Sequence, residues 1–114
     1  MKIEMKIKTL SVNEAWQGRR FKTDKYKAYE KELLFTLPKG VMPDPPYRVS
    51  YEFGMSNIQS DYDNPVKSLQ DVLSKKYGFN DAHIFEATIK KVKVEKGKEY
   101  FKVEFETIIA EKVA

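Results

Sequence analysis

The chain has 114 residues, with 21 lysines or arginines against 17 acidic residues, a net charge of +4 and no cysteine. This length predicts one domain, residues 1–114, with its own hydrophobic core. The hydrophobic content of 41% excludes a disordered chain, and the lack of cysteine excludes disulfides and thiolate zinc sites. No apolar run reaches the length of a membrane span and residues 1–10 lack a signal-peptide pattern, so we expect a cytoplasmic protein without a membrane partner.

The first half of the chain predicts a strand followed by a helix. Residues 2–9 alternate apolar and charged side chains, which is typical of a half-buried strand. Residues 11–20 predict a polar loop. A helix is predicted from Thr23, a good N-cap, to just before Pro38. Its core face consists of Tyr26, Tyr29, Leu33 and Leu37. The prolines within residues 41–46 predict an irregular connection.

The central part of the chain predicts a second strand and a second helix. Residues 47–55 alternate in the same way as the first strand. Asn64 and Pro65 suit the N-cap and the first position of a helix, and Gly78 suits the left-handed residue that ends it. The core stripe of this helix consists of Val66, Leu69 and Leu73.

The last part of the chain predicts two further strands joined as a hairpin. The third strand runs from about His83 to Val94, and its alternation changes phase near Lys90, which indicates a bulge. Lys96-Gly97 predicts a tight turn into the fourth strand. The buried residues of that strand are Phe101, Val103 and Phe105. The order β-α-β-α-β-β predicts an α+β fold in which two helices pack on a mixed four-stranded sheet.

An acidic segment carries the strongest functional signal. Asp61 and Asp63 lie two residues apart before the second helix, where an extended chain points both side chains the same way. Asp81 lies just before the third strand. If the second and third strands pair through the helical crossover, we expect the three carboxylates to meet at one end of the sheet. Magnesium prefers oxygen ligands, so this group predicts a Mg2+ site.

A lysine lies beside these acids at a position that a helix disfavours. Lys67 falls in the first turn, where a cation costs about 0.3–1 kcal/mol because the backbone amides there carry partial positive charge. Such a local conflict is expected at functional sites. Lys67 and Asp71 lie four residues apart on one helix face. The alternative interpretation is an exposed ion pair of little energetic weight beside three ordinary turn acids.

A basic segment leads into the first helix. Between Arg19 and Lys31 the cations far outnumber the acids, and Phe21, Tyr26 and Tyr29 are interleaved with them. The cations are Arg19, Arg20, Lys22, Lys25, Lys27 and Lys31. With the positive net charge, this segment favours a phosphate-binding surface whose affinity falls steeply with salt. The alternative interpretation is a solvated helix face.

The order and spacing of these residues resemble the RusA-type endodeoxyribonucleases, the Holliday junction resolvases found in phages and prophages. The family pattern is Asp-x-Asp-Asn-x-x-Lys, an acid one helical turn after the lysine, and a more distant Asp-Asp pair before a strand. Here these positions read Asp61, Asp63, Asn64, Lys67, Asp71 and Asn80-Asp81. A second similarity lies nearer the N-terminus. It comprises Ser11-Val12-Asn13, Trp16, Arg19-Arg20, Lys25-Tyr26 and Tyr29.

The resemblance implies a Mg2+-dependent endonuclease, with Mn2+ as a substitute metal, that resolves four-way DNA junctions as a homodimer. It implies that Asp61, Asp63 and Asp81 bind the metal and form the catalytic set with Lys67. Asp71 and Asn80 would support that set, Asp71 by positioning the lysine. Asn80 replaces an acid of the family, which predicts weaker metal binding if that position matters. The residues implied in DNA binding are Asn13, Arg19, Arg20, Lys22, Lys25 and Lys27.

Two other classes of function stay open on the sequence alone. The first is a DNA-binding or phage-assembly protein that keeps the fold without the chemistry. The second is a metal-dependent nuclease of another specificity, acting on flaps, replication forks or RNA. Comparing cleavage of junction, duplex and single-stranded substrates in Mg2+ or EDTA separates these classes.

Overall fold

A computed structural model describes residues 1–10, 12–17, 21–57, 59 and 62–109, without the side chains at 12, 13, 16, 17 and 21. The elements in chain order are β1 (Lys2–Met5), α1 (Val12–Ala15), β2 (Trp16–Gln17), β3 (Phe21–Lys22), α2 (Asp24–Thr36), β4 (Tyr47–Met55), α3 (Val66–Tyr77), one 3-10 turn (Asp81–His83), β5 (Ile84–Lys93) and β6 (Tyr100–Thr107). Within these ranges, none of the helices is long and apolar enough to cross a bilayer.

Four of the strands form one mixed sheet in the order β1-β6-β4-β5. β4 pairs antiparallel with β6 and parallel with β5, and β1 pairs antiparallel with the other side of β6. The long helices α2 and α3 are the second layer. The predicted α+β fold, with two main helices on a mixed four-stranded sheet, is therefore confirmed.

The core lies between these helices and one face of the sheet. Every second residue of β4 and β6 points into it, as the alternation predicts. Full burial of each large apolar side chain contributes roughly 1.5–3 kcal/mol. The buried side chains from the two strands are Tyr47, Val49, Tyr51, Phe53, Phe101, Val103 and Phe105. The helices contribute Tyr26, Tyr29, Leu33, Leu69, Val72 and Leu73.

The ends of the long helices follow local chemistry. Tyr26 N donates to the Thr23 side-chain oxygen at 3.1 Å, so Thr23 is the N-cap of α2 as predicted. α3 ends at Gly78, whose φ of 72° is left-handed and whose amide donates to Ser74 O at 2.8 Å. The predicted start of α3 is wrong by one residue, because Pro65 occupies the N-cap position without a side-chain hydrogen bond and Val66 is the first helical residue.

The predicted hairpin between the last two strands is wrong. Lys96-Gly97 does form a turn, in which Lys98 N donates to Glu95 O at 3.0 Å, but β5 and β6 pair with opposite sides of β4. The connection instead crosses the end of β4, where Val94 N donates to Met55 O at 3.1 Å. Both arrangements reverse the chain direction, so the turn sequence alone does not distinguish them.

Three other segments differ from the prediction. β1 ends at Met5, and the expected loop at residues 11–20 contains α1 and β2, which pairs with β3. The irregularity in β5 lies at Phe85, which the pairing with β4 skips, and not near Lys90. Because β5 is an edge strand with most side chains exposed, its alternation carries little information about phase.

Gly54 offers a test of this packing. It lies opposite Tyr100 in the β4–β6 pairing, and a Cβ at residue 54 would clash with the Tyr100 ring, whose hydroxyl donates to Glu52 Oε2 at 2.6 Å. We expect Gly54→Ala to lower the free energy of unfolding by about 1–3 kcal/mol, because an added methyl in a packed site forces neighbours to move. Urea denaturation measures this loss. In a Tyr100→Ala background the same substitution should cost much less; an equal cost would contradict the clash.

Candidate functional site

The first turn of α3 carries the predicted lysine. Val66 N donates to Asp63 O at 3.1 Å, which ties the residues before the helix to its start. Lys67 Nζ lies 3.1 Å from Asp71 Oδ1, and the lysine side chain is 61% exposed against 25% for the aspartate. The predicted i, i+4 pair is therefore confirmed, and its carboxylate is the more buried partner.

Asp81 begins the 3-10 turn that leads into β5. Asn80 is the N-cap of this turn, since its side-chain oxygen accepts from Ala82 N at 2.9 Å. The structure thus gives Asn80 a local capping role, which Asp and Asn serve about equally well. Asp81 is partly exposed, yet its Oδ1 is buried and has no hydrogen-bond partner in the described part of the chain. A buried acceptor without a donor costs about 1–3 kcal/mol.

A buried tyrosine connects Asp71 with Asp81. Tyr51 is 2% exposed, and its hydroxyl donates to Gln70 Oε1 at 2.9 Å. Burial raises the pKa of Tyr51, and the negative charges of Asp81 and then Asp71 raise it further. Both carboxylates therefore lie within electrostatic reach of the same hydroxyl. We call Tyr51, Gln70, Asp71 and Asp81 the Tyr51 cluster.

A second tyrosine approaches the same cluster from α2. The Tyr26 hydroxyl lies 3.5 Å from Ser68 O, within α3. Burial raises the pKa of Tyr26 to about 12, with smaller contributions from the charges of Asp71 and Glu30. Asp71 thus acts electrostatically on two tyrosine hydroxyls and forms an ion pair with the Lys67 ammonium.

The strand topology does not bring Asp63 and Asp81 together at one sheet end. β4 and β5 pair through the helical crossover as expected, but in parallel, with Tyr47 opposite Ile84 and Met55 opposite Lys93. Asp63 therefore follows one end of the pair, whereas Asp81 precedes the other. Asp63 is exposed, and Asp61 lies outside the described residues. Among the residues that are described, no group of three acids, histidines or cysteines is arranged to hold a metal.

Sequence reasoning missed Tyr51, Gln70 and Tyr26 as neighbours of the acids. The sequence patterns place Tyr51 in the alternation of residues 47–55, and Tyr26 on the core face of the first helix and in the basic segment, although a buried phenol usually has a polar partner. That need for a partner was the available signal. It could not identify Gln70 or Asp81, because the hydrogen bond to Gln70 and the proximity to Asp81 depend on how α3 lies across the sheet.

The predicted phosphate-binding residues are only partly described. Arg19 and Arg20 lie outside the described residues, as does the side chain of Asn13. Lys27 and Lys31 are exposed on α2. Lys25 Nζ lies 3.5 Å from Glu14 Oε2, with the lysine 72% exposed, so it is accessible to solvent.

Lys22 is the most constrained of these cations. Its Nζ lies 2.9 Å from Glu30 Oε2 and 5.1 Å from the centre of the Tyr26 ring. Lys75 Nζ approaches the same carboxylate oxygen at 3.0 Å, which joins α3 to α2 and β3. Burial acts to raise the pKa of Glu30, but hydrogen bonds from Lys22 and Lys75 outweigh it and hold that pKa below its usual value. Lys22 therefore has a structural role whether or not it also contacts phosphate.

Comparison with known proteins gives no family for the chain. A scan against protein-family models finds no match, and no curated protein is significantly similar to this sequence.

The Glu30 ion pairs predict an acid dependence of stability. A carboxylate whose folded-state pKa is depressed stabilises the fold fully above its ordinary pKa, here 4.5, and loses that contribution as pH falls through the folded-state value. We expect Glu30→Gln to be less stable than wild type at neutral pH and to lose less stability on acidification. Urea titrations at a series of pH values, from neutral to below 4.5, measure both effects.

Glu32→Gln is the matched control, since Glu32 lies on the same helix, is exposed, and makes no ion pair in the described part of the chain. It should retain the wild-type pH profile. A Glu30→Gln profile parallel to wild type would show that the ion pairs with Lys22 and Lys75 do not govern acid stability.

Proposed function

We propose that this protein is a Mg2+-dependent endodeoxyribonuclease that hydrolyses phosphodiesters in four-way DNA junctions. The sequence motif supports this proposal, and one structural observation carries it: the buried, unpartnered Oδ1 of Asp81 in the Tyr51 cluster. A carboxylate oxygen left without a donor is a fitting ligand for a hard cation, which satisfies it without a hydrogen bond. Asp61 and Asp63 are proposed as the other ligands from the sequence motif alone, and sharing one ion with Asp81 requires the segment before α3 to approach Asp81 when metal or DNA binds.

Bound Mg2+ would lower the pKa of a coordinated water and stabilise negative charge on the scissile phosphate. Side chains of the protein would bind the phosphate and hold the site in position. Lys67, exposed at the start of α3, would approach the phosphate oxygens and neutralise part of their charge. Asp71 would hold the lysine in place through the pair at 3.1 Å. Tyr51 and Gln70 would fix that segment of α3 against β4 through their hydrogen bond.

Cleavage of a labelled synthetic junction tests the activity. We expect wild-type protein to nick the junction in Mg2+ and not in EDTA, and to cut duplex and single strands far less. Asp61→Asn, Asp63→Asn and Asp81→Asn should each abolish cleavage, because each removes a charged ligand, while leaving junction binding intact or stronger. Asp44→Asn, at an exposed acid in the connection between α2 and β4, is the matched control and should cut normally.

The outcomes separate the proposal from its alternatives. Binding without cleavage under every metal condition would indicate a non-catalytic DNA-binding protein. Stronger cleavage of flaps, forks or RNA would indicate another nuclease. Any one aspartate variant that cuts at the wild-type rate would remove that residue from the ligand set.

Thermal stability provides a second readout that needs no substrate. We expect wild type to gain stability with Mg2+, by roughly 2.7 kcal/mol at a hundredfold excess over the dissociation constant. Asp81→Asn should lose this gain. In EDTA it should be at least as stable as wild type, because the substitution removes an uncompensated negative charge near Asp71. A Mg2+-induced shift that survives in Asp81→Asn would contradict metal binding at Asp81.

Lys67 has its own prediction. Lys67→Ala should lower the cleavage rate of bound junction by about 10²-fold or more, since one preorganised charge on the reacting group contributes about this much. Junction affinity should change little, because the side chain is one of many cations. Single-turnover rates and binding titrations separate the two, and an equal loss of both would make Lys67 a binding residue only.

A further inference from the structure

β5 leaves one side of the sheet open. It spans Ile84–Lys93 at the end of the order β1-β6-β4-β5, and no strand of the described ranges pairs with its outer side. Most of its side chains are exposed, including Phe85 at 69%. A strand edge of this length presents a row of unpaired backbone donors and acceptors, which readily pair with another strand.

From Glu86 onward, the side chains of β5 alternate between the two faces of the sheet, and their partners on β4 identify the face of each. Glu86 pairs with Arg48, Thr88 with Ser50, and Lys90 with Glu52. Cross-strand partners share a face, so Glu86, Thr88 and Lys90 lie on the outer face, away from the helices. The odd-numbered residues Ala87 and Ile89 lie on the helix face, opposite Val49 and Tyr51.

We propose that β5 pairs antiparallel with β5 of a second copy of this chain, about a two-fold axis that passes beside Thr88. In that register Thr88 lies opposite Thr88 of the second copy, and Glu86 lies opposite Lys90. The two-fold axis repeats the pair, so two opposite-charge pairs form on the outer face. Each such cross-strand pair stabilises a sheet.

The apolar residues agree with the same register. Ala87 lies opposite Ile89, and both are on the helix face. This pair keeps both side chains on one face, as antiparallel pairing requires. The regular pairing extends back to Glu86 only, because the irregularity at Phe85 places Ile84 on the helix face opposite Tyr47.

Neighbouring registers lose this complementarity. An axis beside Ala87 sets Glu86 against Thr88, and an axis beside Ile89 sets Glu86 against Val92. Neither one pairs an acid with a base. A register with an odd offset would place core-facing residues opposite outer ones, which a two-fold axis perpendicular to the sheet does not allow. Charge complementarity therefore selects Thr88 as the centre.

The outer face already contains the charges that would extend these pairs. Arg48 Nε lies 2.6 Å from Glu86 Oε2, and Lys90 Nζ lies 3.9 Å from Glu52 Oε1. Pairing two copies would connect them into a continuous row of alternating charges across the interface. The product is an eight-stranded sheet with all the long helices on one side, because the axis is perpendicular to the sheet.

The resemblance already implies a homodimer; the inference adds which strand edge forms it and in what register, and it rests on β5 and not on the proposed function. It does fix a distance between the two copies of any site at the start of β5. Ile84 and Ile84 of the second copy would lie roughly 26 Å apart along the strand direction, at about 3.3 Å per residue.

Charge reversal tests the register by sedimentation equilibrium. Glu86→Lys and Lys90→Glu should each raise the dimer dissociation constant at least about tenfold, equivalent to 1.4 kcal/mol, because like charges then face each other. The double variant should restore the wild-type constant. Glu106→Lys is the matched control, since Glu106 also approaches Arg48, at 4.0 Å and with similar exposure, but lies on β6 away from the edge. It should leave the constant unchanged.

A single cysteine tests the axis directly, since the chain has none of its own. Thr88→Cys should form an interchain disulfide in high yield under mild oxidation, because directly opposed residues of an antiparallel pair have Cα atoms at about 4.5–5.5 Å. Val92→Cys, on the same strand and face but away from the axis, should not.

Four results would overturn the inference: a monomeric wild type at all accessible concentrations, equal cross-linking of the two cysteine variants, no cross-linking of Thr88→Cys, or no rescue by the charge swap. A monomer that cleaves junctions would overturn the interface while leaving the proposed function intact. A dimer with these properties that never cleaves DNA would do the reverse.

Discussion

The parallel pairing of β4 with β5 is the constraint on which the rest of the structure depends. Parallel neighbours need a crossover, and α3 is that crossover, so it must pack lengthwise against the inner face of β4. This packing places Gln70 on the Tyr51 hydroxyl and brings Asp71 and Asp81 within reach of the same group. It also leaves β5 at the edge of the sheet, because β6 occupies the other side of β4.

The sequence predicted those features that depend on neighbours along the chain. The alternation in β4 and β6, the Thr23 cap and the Gly78 stop are local patterns, and each is confirmed in the structure. The position of β5 is not local. Whether a strand after a short turn pairs with its predecessor or crosses to the far side of β4 depends on which partner buries more surface, and the turn at Lys96-Gly97 is compatible with both.

The same distinction between local and non-local features applies to the candidate site. The pair between Lys67 and Asp71 follows from helix geometry and could be read from the sequence. The contact of Tyr51 with Gln70 could not, since it joins two elements whose relative position the periodicity does not specify. The expected approach of Asp63 to Asp81 through the strand ends failed for a topological reason, because the ends that precede and follow a parallel crossover lie at opposite sides of the sheet. Asp63 and Asp81 can approach each other only if the connection between β4 and α3 carries Asp63 toward Asp81.

The charges of the Tyr51 cluster bear on the proposed metal site. Asp71 and Asp81 both act on the Tyr51 hydroxyl, and both are close to a poorly solvated region. Lys67 neutralises Asp71, but no ion pair to Asp81 exists among the described residues, and one of its oxygens is buried without a donor. Two carboxylates near one buried phenol repel each other unless a cation compensates them, and the repulsion is larger in a low-dielectric setting. Because the compensation is present on one side only, this imbalance supports the proposal of a cation at Asp81.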